Sequence, residues 1–84
     1  MSTYIVLIER KPTFTGDAIP GHREFLKGLK ESGTLIQAGG FTDQTGGAYS
    51  LKTSSIEKAK EIVSTDPMSQ NDECIYSVKE WNLI

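Results

Sequence analysis

The feature that most constrains the fold is an apolar segment near the start of the chain. Tyr4-Ile5-Val6-Leu7-Ile8 carries large apolar side chains at consecutive positions, not only at alternate ones. Because successive side chains of a strand point to opposite faces of a sheet, both faces of this strand should be covered. A chain of 84 residues has room for only one core, so we expect a single domain over residues 1–84.

A helix is expected after the loop that runs from Arg10 to Pro20, which contains several helix breakers. The helical repeat extends from about Gly21 to Ser32, and Gly33 provides a natural C-terminal stop. Gly28 weakens this helix by roughly 1 kcal/mol relative to alanine. The apolar face has the i, i+3, i+4, i+7 spacing typical of an amphipathic helix, with His22, Phe25, Leu26 and Leu29.

Two strands and a hairpin are predicted next. Leu35 to Phe41 forms the second strand, and its Gly39-Gly40 pair permits a close approach of another backbone. Residues 42–47 form the hairpin loop, and the third strand runs from about Ala48 to Thr53.

The second helix is marked by a capping box, Ser54-Ser55-Ile56-Glu57, with Ser54 at its start. Asp66-Pro67 ends it, because proline cannot continue a helix. Met68 to Glu73 is expected to be an irregular polar connection. Cys74 to Trp81 is the last predicted strand.

The order is therefore β-α-β-β-α-β, which predicts the ferredoxin-like α+β fold: a four-stranded antiparallel sheet with two helices on one face. The other face would be bare in a monomer, although the first strand is apolar on both sides. We expect a second copy to cover it, which gives a back-to-back homodimer.

Composition excludes several classes of partner and location. The formal net charge of −2 offers no positive surface for nucleic acid or for an anionic membrane. Cys74 is the only cysteine, so no internal disulfide or cysteine-rich metal cluster can form, and core packing is its expected role. The first residues lack the pattern of a signal peptide, and no apolar run reaches about 18 residues. We expect a cytoplasmic protein.

Topology brings two chemically useful residues together. His22 lies in the first turn of helix one and Asp66 follows helix two, and both positions fall at the same edge of the sheet. A carboxylate beside an imidazole can fix its tautomer and balance its charge, which suits general acid–base chemistry. The alternative interpretation is structural: a core histidine with one satisfied hydrogen bond, and an aspartate that only forms a turn before proline.

The sequence also resembles a known family. Three segments of the chain are similar in order and spacing to the YCII-related family. They are the histidine segment Gly21-His22 to Leu26, the second-strand segment Gly33-Thr34-Leu35-Ile36-Gln37-Ala38-Gly39, and Asp66-Pro67. That family belongs to the dimeric α+β barrel superfamily, and the resemblance covers nearly the whole chain, up to Trp81.

The resemblance implies a homodimer with sheets packed face to face and one small cleft in each subunit. In the family, the positions of His22 and Asp66 form the candidate active-site pair. One characterised kind of relative eliminates chloride from a chlorinated hydroxyhydroquinone, and the structurally similar muconolactone isomerases move protons on lactones. This chain departs from the family in lacking a basic residue just before His22 and a proline after Gly39, and in the polar connection after Pro67.

Two functions follow as hypotheses. The first is a cofactor-independent lyase or isomerase acting on a small cyclic or aromatic oxygenated molecule, with His22 and Asp66 as catalytic residues. Its substrate contacts would come from backbone N–H groups near Gly39 and Gly40 and from Thr42, Ser69 and Tyr49, although surface solvation is the simpler role for those last three. The second is a non-catalytic module that binds a small molecule or dimerises.

No cofactor and no metal are predicted. Two candidate ligands fall short of the three or four protein ligands that zinc requires. Nothing in the sequence points to heme or flavin.

Overall fold

The computed structural model describes the whole chain, residues 1–84. It contains four strands and three helices. In chain order they are β1 (Ser2–Arg10), α1 (Ile19–Glu31), β2 (Leu35–Gly40), β3 (Gly46–Thr53), α2 (Ile56–Val63), α3 (Pro67–Gln70) and β4 (Cys74–Glu80).

The strands form one antiparallel sheet in the order β2-β3-β1-β4. The chain's most apolar segment, β1, pairs with β3 on one side and β4 on the other, with Val6 opposite Tyr49 and Val78. The ferredoxin-like α+β fold predicted from the sequence is therefore confirmed.

The core lies between the sheet and the helices. Alternate residues of β1 point toward the helices and are buried, and the matching faces of β3 and β4 complete the layer. Burial of apolar surface of this kind stabilises a fold by about 25 cal/mol per Å². The buried cluster contains Val6, Ile8, Tyr49, Leu51, Val63, Met68 and Cys74. Cys74 thus packs in the core, as expected.

The opposite face of the sheet has no helix over it. The side chains of Ile5 and Leu7 in β1 and of Ala48 and Ser50 in β3 share this open face, because they are cross-strand partners. None of the three helices is long and apolar enough to cross a membrane.

Helix α1 begins two residues earlier than the sequence suggested. It starts at Ile19 and takes Pro20 into its first turn. A proline is compatible there because the first-turn N–H groups have no partner inside the helix. Reading Pro20 as the end of the loop was therefore wrong.

The second helix begins one residue later than the predicted capping box. Ser55, not Ser54, is the N-cap: its backbone is extended and its Oγ accepts a hydrogen bond from the N–H of Lys58 at 3.0 Å. Two adjacent serines both satisfy the cap preference, and only the backbone conformation distinguishes them.

The connection after Asp66 is partly helical, which corrects the prediction of an irregular segment from Met68 to Glu73. Pro67–Gln70 forms the short helix α3. Asp66 caps it by accepting a hydrogen bond from the N–H of Met68 at 3.0 Å, and Pro67 occupies the first turn. A proline that ends one helix here begins the next.

Another backbone does approach the Gly39-Gly40 pair closely, but the glycine that this approach requires lies on the facing strand, β3. A Cβ at Gly39 would meet nothing within 4 Å. A Cβ at Gly47, which pairs with Gly40, would lie 2.6 Å from the carbonyl oxygen of Gly39. The restricted glycines are therefore on the inner strand of the hairpin: Gly47, and also Gly46, where a Cβ would collide with the carbonyl group of Ile8.

Two glycine-to-alanine substitutions should have opposite effects on stability. Gly47→Ala should lower the free energy of unfolding by about 2 kcal/mol or more, because backbone must move to admit the methyl group. Gly28→Ala should raise it by roughly 0.5–1 kcal/mol, because Gly28 is helical and has open space around it. Urea unfolding of both variants beside the parent chain measures these changes; equal destabilisation by both would contradict the expectation.

Candidate active site

His22 and Asp66 meet at one edge of the sheet although they are separated by 44 positions in the sequence. His22 lies in the first turn of α1, and Asp66 lies between α2 and α3. The imidazole Nδ1 is 2.9 Å from one carboxylate oxygen of Asp66 and 3.0 Å from the other. This is hydrogen-bonding distance to both oxygens.

The carboxylate of Asp66 is completely buried, and both of its oxygens accept hydrogen bonds. Its Oδ1 accepts a hydrogen bond from the N–H of Met68, and its Oδ2 accepts from the hydroxyls of Tyr49 at 3.2 Å and Tyr76 at 2.9 Å. With His22, four groups surround it. A buried carboxylate is costly unless its lone pairs are satisfied, and here donors from several elements supply that need.

The hydrogen bond to Asp66 determines which imidazole nitrogen is available. A carboxylate can only accept, so Nδ1 of His22 carries the proton and Nε2 carries the free lone pair in the neutral ring. Nε2 has no hydrogen-bond partner within the protein. The only buried side-chain polar atom without a partner is Ser50 Oγ, so Nε2 is not buried. Nε2 is therefore open to solvent from a side chain that is only 13% exposed.

Two tyrosines have roles at this site that the sequence did not predict. Tyr49 was expected to be a surface contact, but it is buried and its hydroxyl faces Asp66; Tyr76 was expected only to supply apolar bulk. Burial raises the pKa of both hydroxyls, and the charge of Asp66 raises the pKa further. Both tyrosines therefore remain protonated donors at neutral pH.

A cleft of about 260 Å³ opens beside His22, between α1 and the hairpin of β2 and β3. Its walls come from α1, from the end of β1 and from the glycine-rich hairpin. The site residues predicted in the second strand, Gly39 and Gly40, both line it, together with Tyr49. Their backbone therefore lines the same cleft as the imidazole.

Thr42 and Ser69 lie elsewhere. Thr42 is exposed in the hairpin and does not line the cleft. The hydroxyl of Ser69 donates to the carbonyl oxygens of Val63 and Asp66, so it joins α3 to the end of α2. No three His, Cys, Asp or Glu side chains come together in a group that could hold a metal ion.

Fold and site together define the class of protein: a ferredoxin-like α+β domain with a buried histidine–aspartate contact beside a small cleft. Residues 2–82 match the YCII-related domain. The chain belongs to this family.

Two similar proteins illustrate the range of the family and fold. The uncharacterized protein YjpA of Bacillus subtilis (strain 168) is 39% identical over 83 residues, which is 99% of this chain and 98% of that protein. The 5-chloro-2-hydroxyhydroquinone dehydrochlorinase TftG of Burkholderia phenoliruptrix AC1100, solved in complex with 2,5-dihydroxybenzoquinone, superposes with a TM-score of 0.77 at 18% identity. That match covers 95% of this chain and 93% of TftG and establishes a common fold.

The tyrosine hydroxyls should make the fold sensitive to alkali. Free tyrosine in the unfolded chain loses its proton near pH 10.0, while buried Tyr49 retains it, so stability is intact below this pH and falls as pH rises above it. We expect Tyr49→Phe to reduce this alkaline loss by about 1 kcal/mol per pH unit. Urea unfolding from pH 8 to 11 measures the slope; the interval below pH 9 is the internal control, and identical slopes above pH 10 would refute the expectation.

Proposed function

We propose that this protein is a cofactor-independent enzyme that moves protons on a small cyclic or aromatic oxygenated molecule bound in the cleft beside His22. The observation that carries the proposal is the orientation of the imidazole. Nδ1 is held by Asp66, and Nε2 is open to solvent at the edge of a small cleft. A lyase or isomerase reaction that begins with proton abstraction suits this arrangement.

The roles of the two residues follow from the hydrogen bond. His22 Nε2 would take a proton from the substrate and return it to the product or leaving group. Asp66 would hold the neutral tautomer and offset the positive charge that forms on the ring when it accepts the proton. Tyr49, Tyr76 and the N–H of Met68 would keep the carboxylate in place, because each donates to it. The backbone of Gly39 and Gly40 would lie against the substrate.

The TftG likeness supports a small planar ligand. That enzyme has the same fold, and its solved structure contains a dihydroxybenzoquinone. At 18% identity its reaction does not transfer to this chain, so the substrate class rests on the cleft. A volume of about 260 Å³ suits a molecule of roughly one ring with its substituents.

The test is a proton-transfer assay that does not require the natural substrate. A panel of hydroxylated quinones, chlorinated hydroquinones and unsaturated lactones is incubated with the protein in D₂O, and deuterium incorporation and chloride release are followed. For any compound turned over, His22→Ala should lower the rate by about 10²-fold or more, the usual contribution of a general base.

Controls separate chemistry from folding. Lys60→Ala, on the exposed side of α2, should retain the parent rate. His22→Gln fills a similar volume but cannot exchange a proton near neutral pH, and should be as inactive as His22→Ala while remaining folded by circular dichroism. Turnover that is unaffected by both histidine variants would remove the proposed mechanism.

A second candidate function is a non-catalytic module that binds a small molecule or dimerises. The observation that favours it is the number of structural contacts at Asp66, which caps α3 and accepts from two tyrosines. In that case the parent chain would bind panel compounds without exchanging any of their protons. The same assay therefore distinguishes the two functions.

We further propose that two copies pack through the open face of the sheet. Large apolar side chains around the face are exposed, with Phe41 at 45%, Ile75 at 51% and Trp81 at 38%. A second copy would cover these apolar groups. We also propose that residues 1–84 form a single domain and that the protein is cytoplasmic, as expected from the sequence.

A charge on this face should separate the copies. The chain has a mass of 9.2 kDa, and we expect about twice this value by light scattering. Leu7→Glu should shift the mass to that of one chain, because two carboxylates would be buried at the symmetric contact. Ser54→Glu adds the same charge at an exposed position outside this face and should leave the mass unchanged. A parent chain that is monomeric at every concentration would contradict the proposed assembly.

A further inference from the structure

Both arginines of the chain line the same cleft. Arg10 lies at the end of β1 and Arg23 follows His22 in α1, and these are the only two arginines among the 84 residues. Both are among the residues that form the cleft wall. One arginine lies in the sheet and the other in a helix, and the fold brings both to one cavity.

Neither guanidinium is neutralised by an acidic partner. The ion pairs of the protein are Lys11–Asp72, His22–Asp66 and Lys58–Glu61, and none includes an arginine. The lining of the cleft contains two arginines but no aspartate or glutamate, and the Asp66 carboxylate behind His22 is completely buried. In a chain with 11 acidic and 9 basic residues, this absence makes the cleft a local concentration of positive charge.

Arg10 is held in position, but most of its N–H donors remain free. One of its Nη atoms donates to the backbone carbonyl of Gln44 at 3.1 Å, and its guanidinium lies 4.3 Å from the ring centre of Phe14. A guanidinium has five N–H donors, so most of those on Arg10 have no partner within the protein. A planar fork of this kind matches the oxygens of a carboxylate.

The floor of the cleft leaves room for a flat ligand. Gly39 and Gly40 line it, and a Cβ on Gly40 would meet only the carbonyl oxygen of Gly46 at 3.8 Å. Gly40 pairs with Gly47, which in turn pairs with Ile8, so a side chain at position 40 would point to the helix side of the sheet.

We propose that the ligand of this cleft is a small planar anion, whose carboxylate or other anionic oxygen is bound by Arg23 and Arg10 while its ring lies over the glycines next to His22. This inference rests on the proposed function in taking the cleft as the site, and it adds the charge of the substrate. Arg10 and Arg23 would determine specificity, and they would also supply the positive charge that the chain lacks just before His22.

The test compares two probes of the same shape and different charge. 3-Hydroxybenzoate is a planar anion at pH 7, and 3-hydroxybenzamide is its neutral counterpart; their dissociation constants are measured by NMR titration at low salt. We expect the parent chain to bind the anion at least about tenfold more tightly, as charge-assisted hydrogen bonds in a partly enclosed site should give. Arg23→Gln should abolish most of this preference, and Arg23 is exposed, so the variant should fold.

Two further variants locate the effect. Lys30→Gln removes the same charge from an exposed position near the far end of α1, and should keep the preference for the anion. Gly40→Val should weaken binding of both probes at least about tenfold by filling the cleft. Equal affinity of the parent for the two probes, absence of binding of either, or a preference that survives Arg23→Gln together with Arg10→Gln would overturn the inference.

The outcome is independent of turnover. An intact preference for the anion in a protein that exchanges no substrate protons would remove the proposed enzyme function and leave an anion-binding module. Proton transfer on a neutral panel compound, without a preference between the two probes, would leave the enzyme and remove the anionic substrate.

Discussion

The structure depends on one buried carboxylate. Asp66 has no exposed surface, so it must find its hydrogen-bond donors within the protein. It finds them in four places: His22 from α1, Tyr49 from β3, Tyr76 from β4 and the N–H of Met68 from α3. Met68 is a neighbour in sequence, but His22, Tyr49 and Tyr76 are 44, 17 and 10 positions away and reach Asp66 only when the sheet and the helices have packed together. The same group therefore specifies the packing of the fold and the orientation of the imidazole.

The sequence predicted the order of elements because apolar periodicity and breakers are local signals. It also predicted that His22 and Asp66 share an edge, since topology alone brings the start of the first helix to the end of the second. It did not predict the hydroxyls of Tyr49 and Tyr76 at Asp66. Those contacts depend on strand register, which decides the face to which a tyrosine points, and a shift of one residue would reverse it. The sequence also did not predict α3. Asp-Pro can end one helix or begin another, and here it does both.

The multiple roles of Asp66 determine how its substitution must be interpreted. Replacing it removes a helix cap and leaves two buried tyrosine hydroxyls without an acceptor, so a loss of activity would be mixed with a loss of stability. His22 makes only one connection to this group and has a free nitrogen, so its replacement affects the chemistry with fewer structural consequences. The histidine is therefore the more informative position for mutagenesis.

The hairpin of β2 and β3 connects the cleft to the open face of the sheet. Gly39 and Ala48 line the cleft on one side and border a hollow with Phe41 and Trp81 on the other, so a thin layer of backbone separates the two. Small residues make this layer thin, since larger side chains would fill one of the hollows. β2 is an edge strand with little cover of its own. A second copy packed on the open face would support this layer from behind, so assembly and the shape of the ligand site would be mechanically linked even though they use opposite faces.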